Sequence, residues 1–190
     1  EILEVTFATT TTTTTVEPTT TTTTTCNPEL CDSGLLYNWY AANTGKLAPT
    51  GWHIPSNAEW DTLFTWLTDN GYGYEGSGSD VSKSIASNCG WQTYATPGVV
   101  GNDQGSNNST NLTIRPGGYR SGYDGEFDYA ANYQAWLMTT TLNGSYIYRK
   151  NISFSTSTPL YYQYEYKDSG LSVRCVRDTY DGWENDIPFV

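Results

Sequence analysis

The sequence predicts an α+β domain behind an extended, threonine-rich N-terminal segment. Three observations lead there. Two runs of seven threonines fill most of residues 1–25. A capped amphipathic helix then starts at Ser56. After Gly90 the helical periodicity stops, and short alternating segments separated by Gly, Asn, Asp and Pro take over. Helices first and antiparallel strands afterwards is the order of an α+β domain.

The first segment is a different polymer from the rest. Glu1 to Phe7 alternates apolar and polar residues and reads as a short strand. Thr9–Thr15 and Thr19–Thr25 follow, divided by Val16-Glu17-Pro18. Threonine is β-branched and favours extended backbone, so each run reaches roughly 23 Å. A lone extended strand leaves amides and carbonyls that need partners. Thr9, Thr12, Thr15, Val16, Thr19, Thr22 and Thr25 are therefore the expected contacts to sister chains. A flexible, O-glycosylated linker is the competing reading. Residue 1 is Glu and no charged-then-apolar leader opens the chain, which reads as a processed or truncated start.

Residues 26–178 read as one domain and 179–190 as a C-terminal extension. Leu36–Tyr40 is expected as a strand close to Ser172–Val176. Ser56-Asn57-Ala58-Glu59 is a capping box, and Trp60, Leu63, Phe64 and Leu67 form one apolar stripe up to Asn70-Gly71. Asp80–Ser87 is a weaker helix, and 97–111 a polar loop. Strands are expected at Leu112–Ile114, Trp136–Thr141, Tyr146–Phe154, Tyr161–Tyr166 and Leu171–Val176. In the last, Leu171, Val173 and Cys175 share one face, Ser172 and Arg174 the other.

Charge excludes several functions. The 190 residues carry 9 Lys and Arg against 20 Asp and Glu, a net charge of −11. Such a chain is repelled by phosphate backbones and anionic lipid, so nucleic-acid binding and polybasic membrane docking are not expected. No apolar run approaches the roughly 18 residues of a membrane span, so no insertion is expected. His53 is the only histidine, and no nucleophile stands beside it in the chain. It precedes a helix cap, where a packing or hydrogen-bonding role is expected. Arg115, Arg120, Arg149, Arg174 and Arg177 read first as ion pairs or carbonyl clamps, second as contacts to an anionic ligand. Of the four cysteines, Cys26 and Cys31 could close a small loop, while Cys89 and Cys175 are two buried thiols or a second bridge. The spacing does not suit zinc. No cofactor or metal is expected. Calcium has only weak candidates, the oxygens of Asn102-Asp103 and Asn107-Asn108.

The richest signal is aromatic. Only 15% of residues are charged and as many are aromatic, with 16 Tyr and 7 Trp. Tyr and Trp supply large contact area with few rotatable bonds. Tyr161-Tyr162-Gln163-Tyr164-Glu165-Tyr166 would place Tyr162, Tyr164 and Tyr166 on one strand face and Tyr161 on the other. Tyr123, Tyr129, Tyr133, Trp136, Tyr161, Tyr162 and Tyr164 are the candidate binding residues. A sheet face packed on core is the alternative.

Leu36-Tyr37-Asn38-Trp39-Tyr40-Ala41-Ala42-Asn43, then Ala48-Pro49-Thr50-Gly51-Trp52-His53-Ile54-Pro55-Ser56 with Glu59-Trp60, resembles the Fibrobacter succinogenes major paralogous domain. So do Pro116-Gly117-Gly118-Tyr119-Arg120 and Ser172-Val173-Arg174-Cys175-Val176-Arg177-Asp178. The resemblance spans about residues 35–178. It implies a C-type-lectin-like fold of the formylglycine-generating-enzyme branch: two helices, a twisted antiparallel sheet, long loops and chain ends close together. The family's usual Trp-Trp-Ser-Ser-Thr strand is replaced by Ala135-Trp136-Leu137-Met138-Thr139-Thr140. Formylglycine-generating enzymes use a cysteine pair near the C-terminus, where this chain has only Cys175.

The expectation is a non-enzymatic binding or display protein, extracellular or at a cell or virion surface. A C-type-lectin-like head would recognise a glycan or surface protein, on a Thr-rich segment that self-associates into an oligomer or filament. A structural fibre or shell subunit is the alternative, and a formylglycine-generating type of enzyme a distant third.

Overall fold

The computed structural model describes residues 34–127 and 130–178, without the side chains of 161–163. The threonine runs, Cys26 and Cys31, Tyr129 and the 179–190 extension lie outside the described residues. The elements run α1 (Trp39–Ala42), β1 (Trp52–His53), α2 (Asn57–Asp69), α3 (Ser82–Ile85), β2 (Gln134–Asn143), β3 (Tyr146–Ser153), β4 (Leu160–Tyr166) and β5 (Val176–Arg177). β2, β3 and β4 form an antiparallel meander in that order, and β1 pairs with β5 in a separate two-stranded sheet. The domain is α+β, as its sequence order implies.

α2 follows its capping box. Ser56 Oγ accepts from the Glu59 amide, and the Glu59 carboxylate accepts from the Ser56 amide at 2.7 Å. Trp60, Leu63, Phe64 and Leu67 are fully buried. They meet Ile85, Ala135, Leu137 and Ile152 in the larger of two cores. Met138, Ile147 and Leu171 form the smaller core with Ala42 and Ile54. Period-two alternation sends Leu137 to one face of the meander and Met138 to the other, so the sheet is covered on both sides.

Several expected elements are shorter than the sequence suggests. The Leu36–Tyr40 strand is a single bridge, Tyr37 to Leu171, after which α1 begins. Asn38 causes the switch: its side chain accepts from the Ala41 amide and caps the new helix. The second helix keeps only Ser82–Ile85 because the backbone turns to a neighbour, Ser87 N–H donating to Ile114 O and Ile114 N–H to Ile85 O. The expected Leu112–Ile114 strand is that one contact. The Leu171–Val176 strand is broken as well. Ser172 pairs with β2, whereas Val176 pairs with β1, and the stretch between crosses from one sheet to the other.

The Pro116–Arg120 motif lays a strap over the sheet. Gly118 has φ +64, and a Cβ there would meet Ala131 N at 2.7 Å, so only glycine fits. Its amide donates to Gln134 O, the first residue of β2.

Lys150, in the centre of β3, is fully buried. Its ammonium pairs with Asp61 of α2 at 2.5 Å and lies 6.0 Å from the Phe64 ring. Burial pushes its pKa down, against the pull of Asp61. Phe64→Ala should cost roughly 3–5 kcal/mol of unfolding free energy in a denaturant titration. Asp61→Asn should cost about 3 kcal/mol, because it strands a buried charge.

Candidate functional site

Alternation along β3 puts Tyr146, Tyr148 and Lys150 on one face and Ile147 and Arg149 on the other. β4 lies beside it with Tyr146 opposite Tyr166 and Tyr148 opposite Tyr164. The result is two cross-strand tyrosine pairs. The Tyr146 and Tyr166 rings are 5.2 Å apart at 49°, and the Tyr148 and Tyr164 rings 5.0 Å apart at 58°. α2 is fastened to this face at Lys150, and its first amide donates to Thr141 Oγ1. The tyrosines lie further along β3, towards its turn, and stay open: Tyr146, Tyr164 and Tyr166 are 42%, 49% and 46% exposed. A depression of about 410 Å³ lies among Asn143, Tyr146, Tyr164, Glu165 and Tyr166. The negative charge available to Tyr146 and a hydrogen bond with its side chain raise the pKa of Tyr166; Tyr123 adds a smaller push. The surface is aromatic and rich in hydroxyls, with the Glu165 carboxylate among its lining residues.

The candidate residues from the sequence fall in different places. Tyr164 belongs to this face, and Tyr123, 84% exposed, lies in the 121–127 turn. Tyr161 and Tyr162 have their backbone in β4. Tyr133 is at the far end of β3, edge-on to Phe154, which is in turn edge-on to Tyr94. Trp136 is half-buried rather than open. Its indole stacks on Tyr119 at 3.6 Å, and the Arg149 guanidinium lies 3.4 Å from its ring. Burial lowers the Arg149 pKa to about 10 despite Glu165, whose carboxylate is 3.8 Å away. Tyr146 and Tyr148 share this face and are not among the candidates read from the sequence. Their signal was the alternation in Tyr146-Ile147-Tyr148, which requires knowing that β3 pairs with β4.

Several of the oxygens offered to calcium are taken. Lys83 Nζ donates to Asn102 O at 2.5 Å, Asp103 O at 3.1 Å and Asn107 Oδ1 at 2.7 Å. No cluster of three or more His, Cys, Asp or Glu suits a metal among the described residues. Cys89 is disulfide-bonded and Cys175 is a free thiol, which excludes a Cys89–Cys175 bridge and a free Cys89. The partner of Cys89 lies outside the described residues.

The sequence pattern of the Fibrobacter succinogenes major domain matches residues 2–177. The chain belongs to that family. The match begins well before residue 35 and so takes in the threonine-rich stretch that the recognisable motifs leave out. No curated protein matches the chain, and no solved structure does. In this Fibrobacter succinogenes major domain, motifs far apart in sequence meet at His53. Trp52 and His53 pair with Arg177 and Val176. His53 Nδ1 lies 2.8 Å from Asp178 Oδ1, and Nε2 lies 2.7 Å from Glu59 Oε1. Both ring nitrogens can donate only when the imidazole is protonated. Burial opposes that charge, but the hydrogen bonds to Glu59 and Asp178, with their charges, outweigh it and raise the His53 pKa.

The clamp should therefore stabilise the fold fully below about pH 6.5, the value for an unfolded chain, and lose its contribution as pH rises through the higher folded value. The melting temperature, followed from about pH 5 to about pH 9, should fall in that window. His53→Gln should abolish that fall.

Proposed function

We propose that this protein is a non-enzymatic binding or display module that recognises a neutral glycan or a surface protein through the tyrosine face of β3 and β4. The observation that carries the reading is the pair of tilted cross-strand tyrosine pairs left open beyond the footprint of α2. Aromatic faces stack on sugar rings or side chains, and phenolic hydroxyls supply adaptable hydrogen bonds. A C-type-lectin-like fold fits short helices preceding the sheet and first and last described segments that meet at Tyr37 and Leu171. The non-enzymatic reading draws support from His53. Both of its ring nitrogens are engaged by carboxylates, those of Glu59 and Asp178. A disulfide at Cys89 suits an extracellular, cell-surface or virion-surface setting. No helix among the described residues is long and apolar enough to cross a membrane.

The Thr-rich segment, read from sequence alone, would self-associate and carry the head. Deleting residues 1–25 should leave a folded head whose oligomeric state, read by light scattering, drops to monomer. Equal assembly with and without the segment would sink that part.

Tyr146→Ala with Tyr164→Ala should remove binding on a glycan and cell-surface-protein array. The melting temperature should fall by only a few degrees, since both rings are half exposed. Binding that survives the double substitution would refute this face as the site.

A further inference from the structure

On another part of the molecule, a cleft of about 410 Å³ opens between the Tyr37 segment, the 113–115 turn and the 172–174 crossover. Arg115 and Arg174 both line it, with Leu137 and Ile114 among the apolar walls. No Asp or Glu is among its described lining residues. For a chain of net charge −11 with only 9 basic residues, two guanidiniums in one cleft is a concentrated positive spot.

Two further features converge there. Ser172 lines the cleft, and its buried Oγ has no hydrogen-bond partner. Thr113, a β-branched residue, is held at φ 54, in the left-handed region. Asn108 fixes it from both sides: Thr113 N–H donates to Asn108 Oδ1 at 2.7 Å, and Asn108 Nδ2 donates to Thr113 Oγ1 at 2.8 Å. The strained turn aims the Thr113 carbonyl at Arg174, whose Nη2 donates to it at 2.5 Å. A guanidinium has five N–H donors, so this contact orients Arg174 and leaves most of its fork for something else. Burial, and then the nearby Arg115, push the Arg174 pKa down, against a smaller pull from Cys175.

We propose that this cleft binds an oxyanion group, a carboxylate or a phosphate, between Arg174 and Arg115 with the Ser172 hydroxyl donating a further hydrogen bond. Planar bidentate recognition of such groups is what an oriented guanidinium does best. The site is independent of the tyrosine face, and its test does not rely on that reading.

The full chain is titrated with sodium acetate and, separately, with inorganic phosphate, against sodium chloride at matched ionic strength. The readout is the Nε–Hε resonance of each arginine in nitrogen–proton correlation spectra. Saturable shifts confined to Arg174 and Arg115 are expected with acetate or phosphate, and the tighter of the two names the source of the ligand group. Arg174→Lys keeps the charge but loses the fork, and should weaken binding about tenfold, the scale of one charge-assisted hydrogen bond. Ser172→Ala, which leaves both charges in place, should weaken it less and keeps the test open if the arginine variant does not fold. Tyr164→Ala should leave this titration unchanged. Shifts that do not saturate, that chloride reproduces, or that survive Arg174→Lys undiminished would overturn the proposal.

Discussion

Two consecutive cations buried on opposite sides of one strand set the layout of this domain. Arg149 and Lys150 are neighbours in β3, so the pleat must send them to different faces. Neither can be buried alone, because an unpaired charge in the interior costs several kcal/mol. Lys150 finds Asp61, and that fixes how α2 lies on the sheet. Arg149 finds the Trp136 ring, which Tyr119 covers in turn, and that fixes the strap from Pro116 to Arg120. A slip of one residue would exchange the two sites and leave each cation without its partner. Register here is secured by charge as much as by the hydrophobic pattern.

How the tyrosine face comes to be open follows from the same arrangement. A helix of 13 residues reaches about 20 Å. It is tied to Lys150 in the middle of β3 and through its first amide to Thr141 of β2, and Tyr146, Tyr164 and Tyr166 are left exposed. Polar residues would suffice for an uncovered strand end. Tyrosine in facing positions is a more expensive choice in exposed apolar area, and facing aromatic pairs are themselves worth roughly 0.5–1.5 kcal/mol, which helps hold the edge strand.

Local features of the fold were legible in the sequence wherever the physics was local. The capping box and the stripe of α2 needed only spacing, and the structure has both. So did the three strands of the meander, apart from their ends. Pairing was not legible. The Ser172–Val176 stretch alternates well, yet its two ends belong to different sheets. Nothing in its residues announces that crossover. Trp136 has the composition of a contact residue, and only the position of Arg149 across the ladder shows that it is covered. The site suffered for the same reason. Tyr164 could be picked from a dense run, whereas Tyr146 and Tyr148 acquire meaning from the strand they face.

The ammonium of Lys83 organises the 97–111 loop from within. Its three oxygen partners come from a loop without regular strands, and Asn107 passes the order on by donating to the Ser87 and Val100 carbonyls. A metal ion would do similar work, but it would exchange with the medium, and a chelator or a dilute environment would remove it. A cation anchored through the chain cannot dissociate. The loop is thus ordered by a charge that the chain itself supplies, and a surface built on this scaffold carries its own cation from one environment to the next.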